Sequence, residues 1–117
     1  MGLHIRDLIR VLEAEFLCGE DLDKEVRSAC GSDLMSDVLA FVKEQTVLLT
    51  GLTNTQVIRT AEMVDIPAVV FVRGKRPSDD VIQMAADRKI AILMTRYTMF
   101  EACGLLYQLG IKASNAR

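Results

Sequence analysis

Near the start of the chain the apolar residues recur with a helical period. Ile5, Leu8, Ile9 and Leu12 fall on one side and Arg6, Asp7, Arg10 and Glu13 on the other, which predicts an amphipathic helix over 3–13. Two short β-rich runs, 14–18 and 26–30, then flank the polar link GEDLDKE at 19–25. The spacing of Leu34, Val38, Leu39 and Val42 predicts a second helix over 34–43, with Ser32 or Asp33 as its cap. Beyond this point one pattern repeats three times. Thr46–Thr50 leads through GLTN to a helix bearing Val57, Ile58, Ala61 and Val64. Ala68–Val72 leads through RGKRPS to one bearing Val81, Ile82 and Ala85, and Ala91–Met94 through TRYT to one bearing Ala102, Leu105, Leu106 and Leu109. Thr50, Arg73 and Thr95 occupy corresponding positions after the three strands, 23 and then 22 residues apart, the length of one strand-helix unit.

Strands joined through helices pair in parallel, and a continuously apolar strand such as VVFV is one buried on both faces. The predicted fold is therefore α/β: a single compact domain with three consecutive strand-turn-helix units forming a mainly parallel sheet, plus an N-terminal helix and short β elements. The domain is expected to span 1–111, with 112–117 (KASNAR) as a flexible tail. All three turns then lie along one edge of the sheet. Each also carries a helix-start signature. Thr53-x-x-Gln56 and Thr98-x-x-Glu101 match the capping box, and Ser78 follows Pro77 and precedes Asp79 and Asp80, whose carboxylates suit the positive end of a helix dipole.

Composition narrows the function classes. Half of the 117 residues are hydrophobic, more than a small charged domain hides in one core, so a homodimer is expected. The longest apolar stretch, Ile66 to Val72, is too short to cross a bilayer, and the N-terminus lacks the layout of a secretion signal, so a cytoplasmic protein without a membrane partner is expected. Fourteen basic and sixteen acidic residues are interspersed without a basic block, which argues against nucleic acid. Cys18, Cys30 and Cys103 lack the paired spacing of zinc or redox sites and read as structural thiols. No phosphate loop, dinucleotide fingerprint or nucleophile elbow occurs, and there is a single histidine, His4. The chain is accordingly expected to be no enzyme, and to need neither cofactor nor metal. The alternating Asp21, Asp23 and Glu25 lack the glycine and terminal glutamate of a calcium loop and read as a solvated turn.

The stretch FVRGKRPSDD at 71–80 admits two readings. In one, proline directs the chain, serine caps the helix and the aspartates complement its dipole. In the other, helix N-termini converging at the carboxyl ends of parallel strands hold a nucleotide or small phosphorylated metabolite. The candidate ligand-binding residues are Gly51, Thr53, Asn54, Gly74, Arg76, Ser78, Thr95 and Arg96, with Arg73 and Lys75 on the same edge.

Four ordered segments, SDLMSDVLAFV (32–42), LLTGLTNTQVIRTAE (48–62), VRGKRPSDDVIQMAADRKIAIL (72–93) and TRYTMFEA (95–102), resemble the DRTGG domain. The resemblance covers nearly the whole chain, to about residue 110. It implies a compact α/β module of the kind found alone or attached to CBS-domain pyrophosphatases and phosphotransacetylases, similar to the N-terminal, non-catalytic domain of HPr kinase. It further implies a regulatory or assembly module, commonly dimeric, without a reaction of its own. The function expected is a homodimeric regulatory or accessory module that binds an enzyme or regulatory protein, the alternatives being the nucleotide or phosphometabolite sensor and an accessory subunit of a larger enzyme complex. Gly51, Gly74, Arg76, Pro77 and Ser78 match the family pattern, whereas Leu52 and Thr53 stand where it has Asp-Arg, and Val72 or Arg73 near a single Gly74 where it has Thr-Gly-Gly.

Overall fold

The computed structural model describes residues 3–43 and 45–113. In chain order the first half holds β1 (Leu3–His4), α1 (Ile5–Val11), β2 (Glu15–Cys18), β3 (Glu25–Val26), β4 (Ser28–Gly31) and α2 (Met35–Phe41). The second half holds β5 (Thr46–Thr50), α3 (Thr55–Met63), β6 (Ala68–Phe71), α4 (Asp79–Asp87), β7 (Ala91–Met94), α5 (Met99–Gln108) and β8 (Lys112–Ala113). Helix α1 is shorter than the amphipathic span because Leu3 and His4 pair antiparallel with Val26 and Glu25 instead of starting the helix. That pairing also divides the run 26–30 between β3 and β4.

The main sheet has the order β2-β7-β6-β5-β4-β8. Strands β4 to β7 are parallel, β8 is parallel to β4, and β2 alone runs antiparallel, against β7. Three successive units step across the sheet in one direction. Their helices α2, α3 and α4 pack on a single face, as one crossover hand requires. After β7 the chain reverses: α5 returns across the opposite face, beside α1, and delivers β8 to the far edge of β4. Lys112 and Ala113, expected in the tail, are thus held by strand pairing, while 114–117 lie outside the described residues.

Strands β5, β6 and β7 feed both cores, which is why β6 and β7 are apolar throughout and β5 is apolar between its two terminal threonines. Val47, Leu49, Val70 and Leu93 point to the α1/α5 side, and Leu48, Val69, Phe71 and Ile92 to the α2/α3/α4 side. The approach of α5 to β4 is close. A Cβ on Gly31 would stand 2.8 Å from Cys103 Sγ and 3.0 Å from Met99 Sδ, so a larger residue there would have to displace those side chains. Helix α2 departs from expectation: Met35 and Val38 are its buried residues, while Leu34 and Leu39 are exposed. Lying at the margin of its layer beside α3, this short helix buries a narrower stripe than its apolar spacing offers.

Candidate functional site

The carboxyl ends of β4, β5, β6 and β7 and the start of the antiparallel β2 share one edge, with the turns into α2, α3, α4 and α5 above it. In the first turns, Asp33 is no helix cap; its Oδ1 accepts from the buried Thr50 hydroxyl (2.9 Å) and the Gly51 amide (2.7 Å). Thr50 Oγ1 in turn accepts from the Leu52 amide at 3.1 Å. Asn54, one residue beyond the predicted Thr53, caps α3 by accepting from the Val57 amide at 3.3 Å. The expected Thr53-x-x-Gln56 box therefore does not form, since α3 begins one residue later than that box requires.

The second turn is stitched to the third. Arg73 and Gly74 both have positive φ, 63° and 68°, and their amides donate to the Tyr97 and Thr95 carbonyls at 2.8 Å each. Glycine adopts this conformation freely, and two successive left-handed residues turn both amides toward the neighbouring loop. Pro77 is buried. Ser78 occupies the N-cap position of α4 with extended backbone, but its hydroxyl makes no cap hydrogen bond, so the capping predicted for it is absent. Arg76 reaches sideways to Glu15 of β2, Nη1 to Oε2 2.8 Å, both side chains about half exposed.

In the third turn Thr95 is buried, and its hydroxyl donates to the Leu12 carbonyl at 2.7 Å while accepting from the Tyr97 amide at 3.2 Å. Thr95 therefore ties the end of α1 to the sheet and offers no free group to a ligand. The correspondence with Thr50 also needs adjustment. Thr50 is level with Phe71, and Phe71 with Met94, so Arg73 and Thr95 lie farther along their strands. The Thr98–Glu101 capping box forms as predicted, with the Glu101 amide donating to Thr98 Oγ1 at 3.2 Å and the Thr98 amide to Glu101 Oε1 at 3.1 Å.

Leu12, Glu13, Thr95, Arg96 and Tyr97 line an open cleft of about 200 Å³ at this edge. Tyr97 donates its phenol hydrogen to Glu13 Oε2 at 2.7 Å, and that hydrogen bond, with the carboxylate's charge, raises the phenol pKa. Arg96 is exposed beside Gly74. Among the described residues Arg73, Lys75 and Arg96 make no ion pair, whereas Arg76 does. The edge thus carries three uncommitted cations. Of the eight predicted residues, Gly74 and Arg96 adjoin this cleft, Gly51 and Asn54 are committed to the β5 turn, and Thr53 flanks that turn. Sequence reasoning missed Glu13, Glu15 and Tyr97, which come from distant segments with no local signature.

The three thiols are half-buried. Burial pushes the Cys18 and Cys103 pKa values up, and for Cys103 the neighbouring Cys30 adds to the effect. Among the described residues no cluster of three metal-type ligands occurs, and no helix is long and apolar enough to cross a membrane.

The DRTGG domain family matches residues 7–109, from within α1 to the end of α5. The chain belongs to the DRTGG family. This DRTGG domain is similar in structure to the CBS and DRTGG domains of the regulatory region of Clostridium perfringens pyrophosphatase, complexed with activator, diadenosine tetraphosphate. The identity is 15%, the TM-score 0.73, and the match covers 90% of this chain and 46% of that one. This DRTGG domain therefore spans about half the length of that chain, and the likeness is one of fold. No curated protein matches the sequence.

Proposed function

We propose that this DRTGG domain is a regulatory module without a reaction of its own, acting as a homodimer that presents a surface to an enzyme or another regulatory protein. The observation that carries the reading is the outward side of α5. Phe100 is 88% and Tyr107 77% exposed, while Ala102 and Leu106 on the inward side are fully buried. A helix apolar on both sides is one that proteins cover on both sides. Membership of the DRTGG family and the regulatory character of the pyrophosphatase region support the same reading. Light scattering tests it: at micromolar concentration the mass is expected near twice 13.0 kDa, and a clean monomer across that range refutes the dimer.

A second reading is favoured by Arg73, Lys75 and Arg96, cations without ion pairs next to the N-termini of α4 and α5. In it, a nucleotide or small phosphorylated metabolite binds along the edge at Gly74 and Arg96, with Arg73 and Lys75 contributing charge. Asp79 and Asp80, in the first turn of α4, oppose it. Millimolar nucleotides, dinucleotides or inorganic phosphate should raise the melting temperature by mass action. No shift in the native chain, or an equal shift in Arg96→Ala, refutes this site.

A further inference from the structure

We infer that two copies meet through antiparallel α5 helices crossing at Gly104, with Phe100 of each against Tyr107 of the other; this rests on the dimer proposed above. Phe100, Gly104 and Tyr107 are separated by four and three residues, so they form one narrow strip on the outward side of α5. Gly104 sits in the middle of that helix, where glycine is the least favourable residue other than proline. Nothing within the protomer calls for it, since a Cβ built there meets no atom within 4 Å. What a mid-helix glycine between two exposed aromatics does permit is the close approach of another backbone.

The identity of that second surface follows from charge and symmetry. Glu101 is the single charged residue of α5, and Thr98 holds its carboxylate through both amide and hydroxyl. The outward sides of α3 and α4, by contrast, bear Arg59 and Glu62, and Asp79, Asp80 and Asp87. A partner recognised by charge has nothing to engage on α5, whereas a second copy of an uncharged strip is complementary to the first. A two-fold axis near Gly104 makes the contact isologous, so the aromatic four residues before the glycine meets the one three residues after it in both directions. At about 200 Å² for an aromatic side chain, the exposed parts of Phe100 and Tyr107 supply about 330 Å² per copy. That is roughly two-fifths of the about 800 Å² per partner of a standard interface. The flanks of the helix, including Cys103 and Gln108, supply more.

Sedimentation equilibrium on the full chain tests this with Phe100→Lys, Tyr107→Glu, the double variant and Gly104→Leu, with circular dichroism reporting the fold of each. Each single variant sets a charge, or a bulky side chain, into the crossing twice, and is expected to weaken the dimer at least tenfold with unchanged helicity. In the double variant each introduced lysine faces an introduced glutamate of the other copy, and the dimer is expected to return to within about tenfold of the parent. A parent dimer unaffected by all three single substitutions leaves dimerisation intact and overturns α5 as its seat. Loss in the single variants without recovery in the double variant overturns the antiparallel pairing. A monomeric parent overturns both this inference and the dimer on which it rests.

Discussion

Thr95→Val removes one oxygen from the centre of the strand-end edge while nearly preserving side-chain volume. In the parent that hydroxyl donates to the Leu12 carbonyl at 2.7 Å and accepts from the Tyr97 amide at 3.2 Å, in a side chain 1% exposed. Each hydrogen bond contributes about 1 kcal/mol net, but a buried group left without a partner costs about 1–3 kcal/mol. Leu12 is itself fully buried, so its carbonyl bears most of that penalty, whereas the half-buried Tyr97 is nearer to water. The expected loss is about 2–4 kcal/mol, which for a domain of this size lowers the melting temperature by about 8–16 °C. Urea unfolding should give a lower midpoint with an unchanged m-value. Thr95→Ser keeps both hydrogen bonds and loses one methyl, so it should cost about 0.5–1.5 kcal/mol. If the valine variant is within about 0.5 kcal/mol of the parent, the hydroxyl is no clamp, and Thr95 returns to the set of groups available to a ligand.

At the helix starts, Asn54→Ala and Thr98→Ala should each cost about 1 kcal/mol in urea unfolding, and Thr53→Ala and Ser78→Ala less than about 0.5 kcal/mol. A larger loss at Ser78 than at Asn54 would contradict the cap geometry. Arg76→Ala breaks a half-exposed ion pair with Glu15 and should change stability by less than about 0.5 kcal/mol, with a larger change pointing to a structural role for the pair. Thiol reagents should label Cys18 and Cys103 in the folded chain much more slowly than in urea, and rapid labelling of both in native buffer would refute their burial. Because the folded Cys103 pKa is raised, its contribution to stability is fully present below the ordinary thiol value of about 8.5 and lost as pH rises through the folded value. The alkaline fall in the urea midpoint should therefore be shallower in Cys103→Ala, and an equal fall in both chains would remove Cys103 as its source.

Local signals in the sequence determined the parallel units. The runs VLL (47–49), AVVF and AILM are apolar at consecutive positions, and helical spacing follows each, so strand, crossover and two-sided burial were all legible before any contact was known. The capping box at Thr98 was legible for the same reason, since all of its atoms belong to four consecutive residues. Tertiary structure decided what depends on distant segments. Leu3 and His4 became a strand because Val26 and Glu25 lie opposite, and Lys112 and Ala113 became one because α5 returns the chain to the free edge of β4. The strand-end edge changed most. Asp33 was taken by Thr50 and Gly51, Arg76 by Glu15, and Thr95 by Leu12, 83 residues earlier in the chain. A polar residue's availability to a ligand is set by which partner the fold brings within about 3 Å, and sequence spacing carries no trace of a partner that far away.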